Sequence, residues 1–268
     1  MPKNSPLGLF DSGTGGLTVM REVAKRLPAE DLLYYADTAR IPYGGKSKET
    51  IIRFSIENSI FLLEHAIKLL VIACNTATAH ALDKLQQLFK IPVIGVIEPG
   101  AEKACQVTRN GRIAVLGTKG TIDSGAYRQA IETIRSDVEI FSVACPLFVP
   151  LVEEQFIHHP ATKLIVKEYV APLKKAKIDT LLLGCTHYPL LQHLIEEEFE
   201  GQVQIVDSAS TCAEKVLNTL KQLYLCNDQA QGEERFFTTD DPAKFKTLGE
   251  EILGRPIDQV FFAAHPHR

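Results

Sequence analysis

Metal-binding cysteine pairs are missing from this chain. Its six cysteines, Cys74, Cys105, Cys145, Cys185, Cys212 and Cys226, form no C-x-x-C and no Cys/His cluster of zinc spacing, so no metal site is expected. In a reducing compartment all six are expected as free thiols. Basic runs are missing too. With 29 Lys and Arg against 33 Asp and Glu, a formal charge of −4 and a pI near 6.1, there is no electrostatic footprint for nucleic acid or an anionic membrane. Nucleic acid is therefore not required as a partner. No apolar run approaches the roughly 18 residues of a membrane span. The opening Met1-Pro2-Lys3-Asn4-Ser5-Pro6 lacks the apolar core of a signal peptide, and a cytoplasmic protein with no membrane attachment is expected. Low-complexity segments are absent as well. What is present is 268 residues, 45% hydrophobic and 23% charged, enough for one large domain or two ordinary ones.

Strand-like and helix-like patterns alternate along the chain. Strands are expected at Leu7 to Asp11, Leu32 to Asp37, Leu69 to Ala73, Ile91 to Ile97, Arg112 to Thr118, Glu139 to Val143, Thr180 to Gly184 and Val203 to Asp207. Helical periodicity fills the intervals, and Glu98-Pro99-Gly100 reads as a crossing point into a second unit. Ser208 is placed as the cap of a helix running to about Leu225, with a surface loop at 227–232 and an edge strand at Arg235 to Thr239. His265 and His267 read as solvated. This alternation predicts an α/β protein with parallel-rich, doubly wound sheets. The repetition of a strand ending in cysteine, and of Phe10-Asp11-Ser12 in Val206-Asp207-Ser208, suggests two similar units facing each other across an active-site cleft.

Two stretches organise the rest. Leu69-Leu70-Val71-Ile72-Ala73-Cys74 and Leu181-Leu182-Leu183-Gly184-Cys185 each run through a buried strand into a cysteine and then toward a helix. Ligands in open α/β sheets bind outside the carboxyl ends of strands, where both thiols and the carboxylates of Asp11 and Asp37 would stand. A helix N-terminus beside a thiol lowers its pKa, so one of the two is expected as a thiolate. The glycine-rich turn Gly13-Thr14-Gly15-Gly16 has Thr18 where a dinucleotide fingerprint needs glycine, and no Walker lysine follows. Three roles then fit a pair of thiols. They form a redox pair, or one of them is a nucleophile on a small amide or ester, or both carry protons and invert a carbon centre from opposite faces. A carboxylate-binding protein without catalysis is a further reading. Taken singly, Asp11 and Asp37 read equally well as helix caps, as do Thr118 and Thr121, while Cys105, Cys145, Cys212 and Cys226 read as small buried hydrophobes.

The motifs decide among these by likeness. Phe10-Asp11-Ser12-Gly13-Thr14-Gly15-Gly16-Leu17, Tyr35-Ala36-Asp37-Thr38, Pro42-Tyr43-Gly44, Ala73-Cys74-Asn75-Thr76-Ala77, Pro150-Leu151-Val152-Glu153 and Leu183-Gly184-Cys185-Thr186-His187-Tyr188-Pro189 together resemble the glutamate racemases of the cofactor-independent aspartate/glutamate racemase superfamily. The resemblance runs from Leu9 to about Asp207 and leaves the segment after Cys226 largely unmatched. It implies racemisation of glutamate without metal or organic cofactor, supplying D-glutamate for peptidoglycan, with racemisation of another acidic amino acid or cysteine hydrolase or transferase chemistry as the alternative. It also implies Cys74 as the base for D-glutamate and Cys185 as the base for L-glutamate, assisted by Asp11 and His187. Asp37 and Glu153 match supporting acids, Glu153 orienting His187. Ser12, Pro42, Tyr43, Gly44, Asn75, Thr76, Thr118, Thr121 and Thr186, with Asp11 and His187, match substrate-binding positions. Aspartate racemases carry glutamate where His187 stands, so this residue favours glutamate. Family architecture implies a first domain of 1–97 plus 208–268 and a second of 98–207. A homodimer is compatible with such a chain.

Overall fold

The computed structural model describes residues 2–264; His265 and His267 lie outside the described residues. The chain opens with β1 (Leu7–Asp11), α1 (Leu17–Arg26), β2 (Leu32–Ala36), α2 (Lys48–Glu64), β3 (Leu69–Ile72), α3 (Asn75–Leu88), β4 (Val93–Gly95) and α4 (Ile97–Val107). It continues through β5 (Arg112–Gly117), α5 (Lys119–Asp123), α6 (Ala126–Ile134), β6 (Glu139–Ala144), α7 (Phe148–Glu153), α8 (Pro160–Lys175), β7 (Thr180–Gly184), α9 (Gln192–Phe199) and β8 (Gln204–Asp207). It closes with α10 (Ser208–Gln222), β9 (Glu234–Thr238), α11 (Pro242–Leu253) and β10 (Val260–Phe262).

Two wholly parallel sheets result, ordered β10-β9-β2-β1-β3-β4 and β6-β5-β7-β8. Both faces of each are covered, which is why the inner strands β1, β2, β3 and β7 are buried along their whole length rather than at alternate positions. In the first sheet Leu7, Leu9, Tyr34 and Val71 pack under α1, α10 and α11, while Phe10, Leu33, Tyr35 and Ile72 pack under α2 and α3. In the second, Ala114, Leu116, Leu181 and Leu183 face α7, α8 and α9, and Ile113, Val115 and Leu182 face α4 and α6.

The order β2-β1-β3-β4 recurs as β6-β5-β7-β8. Each set reverses direction of winding between its two middle strands, and the crevice at such a switch point is where ligands bind. Phe10 is in register with Ile72, and Gly117 with Gly184. The register sets Asp11 beside the turn that bears Cys74, and Thr118 beside Cys185.

Several local expectations change. Glu98-Pro99-Gly100 lies within the first turn of α4, where proline lacks only a hydrogen bond that the turn would not have made. The cap of α10 is Asp207, accepting from the backbone N–H of Ala209 and Ser210 at 2.9 and 2.8 Å, and Ser208 turns inward instead. The helix expected after Gly120 breaks at Gly125, whose φ of 68° ends α5 and starts α6. The strand at Arg235 to Thr239 is no edge: β9 lies between β2 and β10. Neither α11 nor β10 was expected.

Candidate active site

The carboxyl ends of both sheets meet around one cavity of about 20 Å³. The first sheet contributes Ser12 from the turn after β1, Pro42, Tyr43 and Gly44 from the loop before α2, and Cys74, Asn75 and Thr76 from the turn into α3. The second contributes Thr118, Val149, Cys185, Thr186 and His187. Asp11, Asp37, Thr121 and Glu153 stand one layer behind, each holding a residue or turn of that wall.

Cys74 is the N-cap of α3, its Sγ accepting from the Ala77 N–H at 3.5 Å and pointing to Ser12 Oγ at 4.0 Å. The expected acidification by the helix does not prevail. Burial pushes this thiol well up, the negative charge of Asp11 adds to the rise, and the Ala77 amide offsets only part of it. Asp11 itself is fully buried, and burial raises its pKa against the charge of His187 and the amides of Gly16, Gly13 and Ser12. Its Oδ2 accepts from Gly16 N at 2.9 Å and Gly13 N at 3.3 Å, whereas Oδ1 has no hydrogen-bond partner among the described residues.

The second thiol sits differently. Cys185 is followed by a short 3₁₀ turn, Tyr188–Leu191, so the two cysteines do not share a helix-cap setting. Its Sγ has instead an imidazole beside it, His187 Nδ1 at 3.9 Å. His187 Nε2 reaches Glu153 Oε1 at 2.7 Å, and Thr14 Oγ1 donates to the same oxygen at 3.0 Å. Burial alone would lower the pKa of His187, but its hydrogen bonds with Cys185 and Glu153 and their charges outweigh that and hold it well above its ordinary value. Burial works against Glu153 in the same way, yet His187, Thr14 and Lys244 bring its carboxyl below the usual range.

The sign of each shift defines a pH window. Glu153 contributes stability above its ordinary pKa and loses it as pH falls through the lowered one; His187 contributes fully below its ordinary pKa and loses it as pH rises through the raised one. Between those limits both partners are charged. Replacing Glu153 by glutamine is expected to move the alkaline limb of the kcat/KM profile to lower pH and to reduce kcat/KM on the order of 10²-fold. A pH–rate profile with an unmoved alkaline limb would contradict this.

The remaining wall is braced by hydroxyls and one buried carboxylate. Asp37 takes Arg40 Nε at 2.9 and 2.8 Å and the hydroxyl of Tyr43, which also accepts from Asn58 Nδ2 at 3.0 Å. Thr76, Thr118 and Thr121 bond one another in a triangle of 2.9, 3.1 and 3.0 Å spanning both sheets. Gly44 lies against this triangle, since a Cβ there would meet Thr118 Cβ at 2.5 Å.

Sequence reasoning missed Thr14, Val149, Tyr127 and the inward role of Ser208. Thr14, Tyr127 and Ser208 bond across the gap between the sheets and Val149 reaches the cavity from α7, and no local spacing announces such a partner. Glycine at 15 had a legible signal in its loop but not a legible reason: a Cβ there would lie 2.4 Å from His187 Nδ1 and 2.6 Å from Thr186 Oγ1. Gly15→Ala is expected to displace the imidazole and lower kcat/KM by about tenfold to a hundredfold. Gly45→Ala, with open space at its Cβ, is the control in the same assay.

Parallel strands that lead into two thiols, an imidazole–carboxylate couple and a clamp of hydroxyls line one small polar cleft between the two sheets. Residues 8–216 match the Asp/Glu/hydantoin racemase family, and the chain belongs to that family as an amino-acid racemase. Its counterparts there are glutamate racemases. It is 50% identical over 256 residues to the glutamate racemase of Geobacter metallireducens, covering 95% of each chain. It superposes on a glutamate racemase from Bacillus anthracis with a TM-score of 0.94 at 40% identity, over 98% of this chain and 97% of that one. The Francisella tularensis glutamate racemase, solved in complex with D-glutamate, gives 0.93 at 36% identity over 99% and 100%.

Proposed function

We propose that the chain interconverts L- and D-glutamate in the cytoplasm, supplying D-glutamate for peptidoglycan, with Cys185 and Cys74 as its two proton carriers and no cofactor. The supporting observation is that the thiols end equivalent strands, β3 and β7, of two sheets with the same strand order and line one cavity from opposite sheets. One face of the α-carbon is then served by each. Protonated His187 donates from Nε2 to Glu153 and places Nδ1 3.9 Å from Cys185 Sγ. Cys74, held as a thiol by burial and Asp11, is the donor. Cys185, with the imidazole beside it, takes the proton of L-glutamate, and Cys74 returns one to the other face. The domains of 1–97 plus 208–268 and 98–207 each carry one of the two carriers.

The chemical difficulty is the carbanion of an amino acid whose carboxylate stays charged. Fixed donors offset it: the first-turn amides of α3, the hydroxyls of Thr76, Thr118 and Thr186, and the exclusion of water from a buried cleft. A cavity of about 20 Å³ has room for roughly one water, far less than glutamate needs, so the two sheets part to admit it. The bonds they release include Thr14 to Glu153 and Thr76 to Thr118.

The test is metal-stripped protein with L-glutamate in D₂O under reducing conditions, following circular dichroism and α-deuterium together. Decay of the optical signal to zero with deuterium in the new D-enantiomer is the expected result. An unchanged signal with L-aspartate racemised instead would transfer the activity to another acidic amino acid.

A further inference from the structure

The amide of Asn75 is held from the far side of the cleft. Asn75 is the first residue of α3 and lines the cavity, 2% exposed. Its Nδ2 donates to Tyr127 Oη at 2.7 Å, from α6, and to Ser208 Oγ at 3.3 Å, at the start of α10. The orientation of the amide follows from Ser208. That hydroxyl has one proton, which goes to the Leu183 carbonyl at 3.4 Å, so it turns a lone pair to Asn75 and only the NH₂ end of the amide can face it. The carbonyl end, Oδ1, is then left buried without a partner among the described residues. An unpaired acceptor in a buried polar wall costs stability unless something fills it.

Tyr127 is itself immobilised. It is 3% exposed, and its ring is so close under the end of β7 that a Cβ on Gly184 would meet Cε2 at 2.9 Å. On its other side Gly100 of α4 leaves a Cβ distance of 3.7 Å to the hydroxyl oxygen. The phenol oxygen is therefore a fixed post between the residue next to Cys74 and the residue before Cys185.

We propose that Tyr127 is a positioning residue for racemisation: with Ser208 it pins the Asn75 amide by its nitrogen, presenting Oδ1 to the cavity as an acceptor for the ammonium group of the substrate. This rests on the amino-acid racemisation proposed above. The ammonium is present in the ground state and in the transition state alike, so loss of its acceptor raises KM and leaves kcat nearly unchanged.

The experiment is a double-mutant cycle with Tyr127→Phe and Asn75→Ala, both hands of glutamate as substrates, and melting temperatures measured alongside. Wild-type turnover establishes the reaction separately, so inactive wild-type protein fails the proposed function and not this inference. Tyr127→Phe is expected to raise KM about tenfold with kcat within about twofold, and to add nothing in the Asn75→Ala background, because the two residues act as one unit. Ser208→Ala, which removes the other acceptor, is expected to shift KM in the same direction and serves if Tyr127→Phe melts early. Additive effects, or a fall in kcat at unchanged KM, would overturn the assignment.

Discussion

Cys74→Ser and Cys185→Ser are each expected to lower kcat/KM for racemisation by a factor on the order of 10³, with either hand of glutamate as substrate. A serine hydroxyl in these positions keeps the size of the side chain but is too weak an acid and too weak a base to exchange a carbon-bound proton at neutral pH. What separates the two variants is what each still does. With Cys74 lost, Cys185 can still remove the α-proton of L-glutamate but finds no donor on the other face, so it returns a solvent-derived proton to the face it came from. L-glutamate then gains α-deuterium in D₂O without becoming D-glutamate. Cys185→Ser is expected to show the mirror result, exchange into D-glutamate alone. The environments make the first exchange the faster: Cys185 has His187 at 3.9 Å, whereas Cys74 has burial and the charge of Asp11 to keep its proton on. Mass spectrometry of α-deuterium on chirally separated glutamate measures both. A variant that keeps a tenth or more of wild-type racemisation would sink the two-base reading, and a trapped acyl adduct on one thiol would replace it with nucleophilic chemistry.

The edge that carries the cavity was legible because strand ends announce themselves. Apolar runs such as Leu69 to Ile72 and Thr180 to Gly184 terminate on small or polar residues, and a parallel sheet places all such ends on one side. That reasoning, together with the motif likeness, named Asp11, Cys74, Cys185 and His187, all of which lie at the cavity or directly behind it. It could not give strand order. Whether β3 pairs beside β1 or beyond β2 depends on packing between helices distant in sequence, so the repeated pattern β2-β1-β3-β4 and β6-β5-β7-β8 came only from the fold. The edge was misread for the same reason: Arg235 to Thr239 has the polarity of an edge strand, yet β10 covers it. At Cys74 a helix N-terminus is visible in the sequence and complete desolvation is not, so burial raises a thiol that the helix alone would lower.

A second large effect lies at the opposite, amino-terminal end of the first sheet. Lys68 and Glu30 have side chains 0% and 1% exposed and pair at 2.5 Å. The lysine also donates to the Lys3 carbonyl, and the second oxygen of Glu30 accepts from the Asn227 N–H at 2.7 Å. One ion pair thus joins the segment before β1, the turn before β2, the turn before β3 and the segment after α10. Lys68→Met leaves a carboxylate buried among backbone dipoles with no cation, and its expected cost is about 3–5 kcal/mol. At about 2–4 °C per kcal/mol for a chain of this size, the melting temperature falls by roughly 6 to 20 °C. Active-site geometry lies at the other end of the strands, so kcat measured well below the transition is expected to stay near wild type. Removing the stranded charge as well, in Lys68→Met with Glu30→Gln, is expected to recover a large part of the loss, since the penalty belongs to the unpaired ion and not to the absence of the pair. Urea denaturation of the single and double variants distinguishes the cases. A double variant no more stable than Lys68→Met would mean that Lys68 acts through its bond to Lys3 and its packing, and that the charge of Glu30 is neutralised without it.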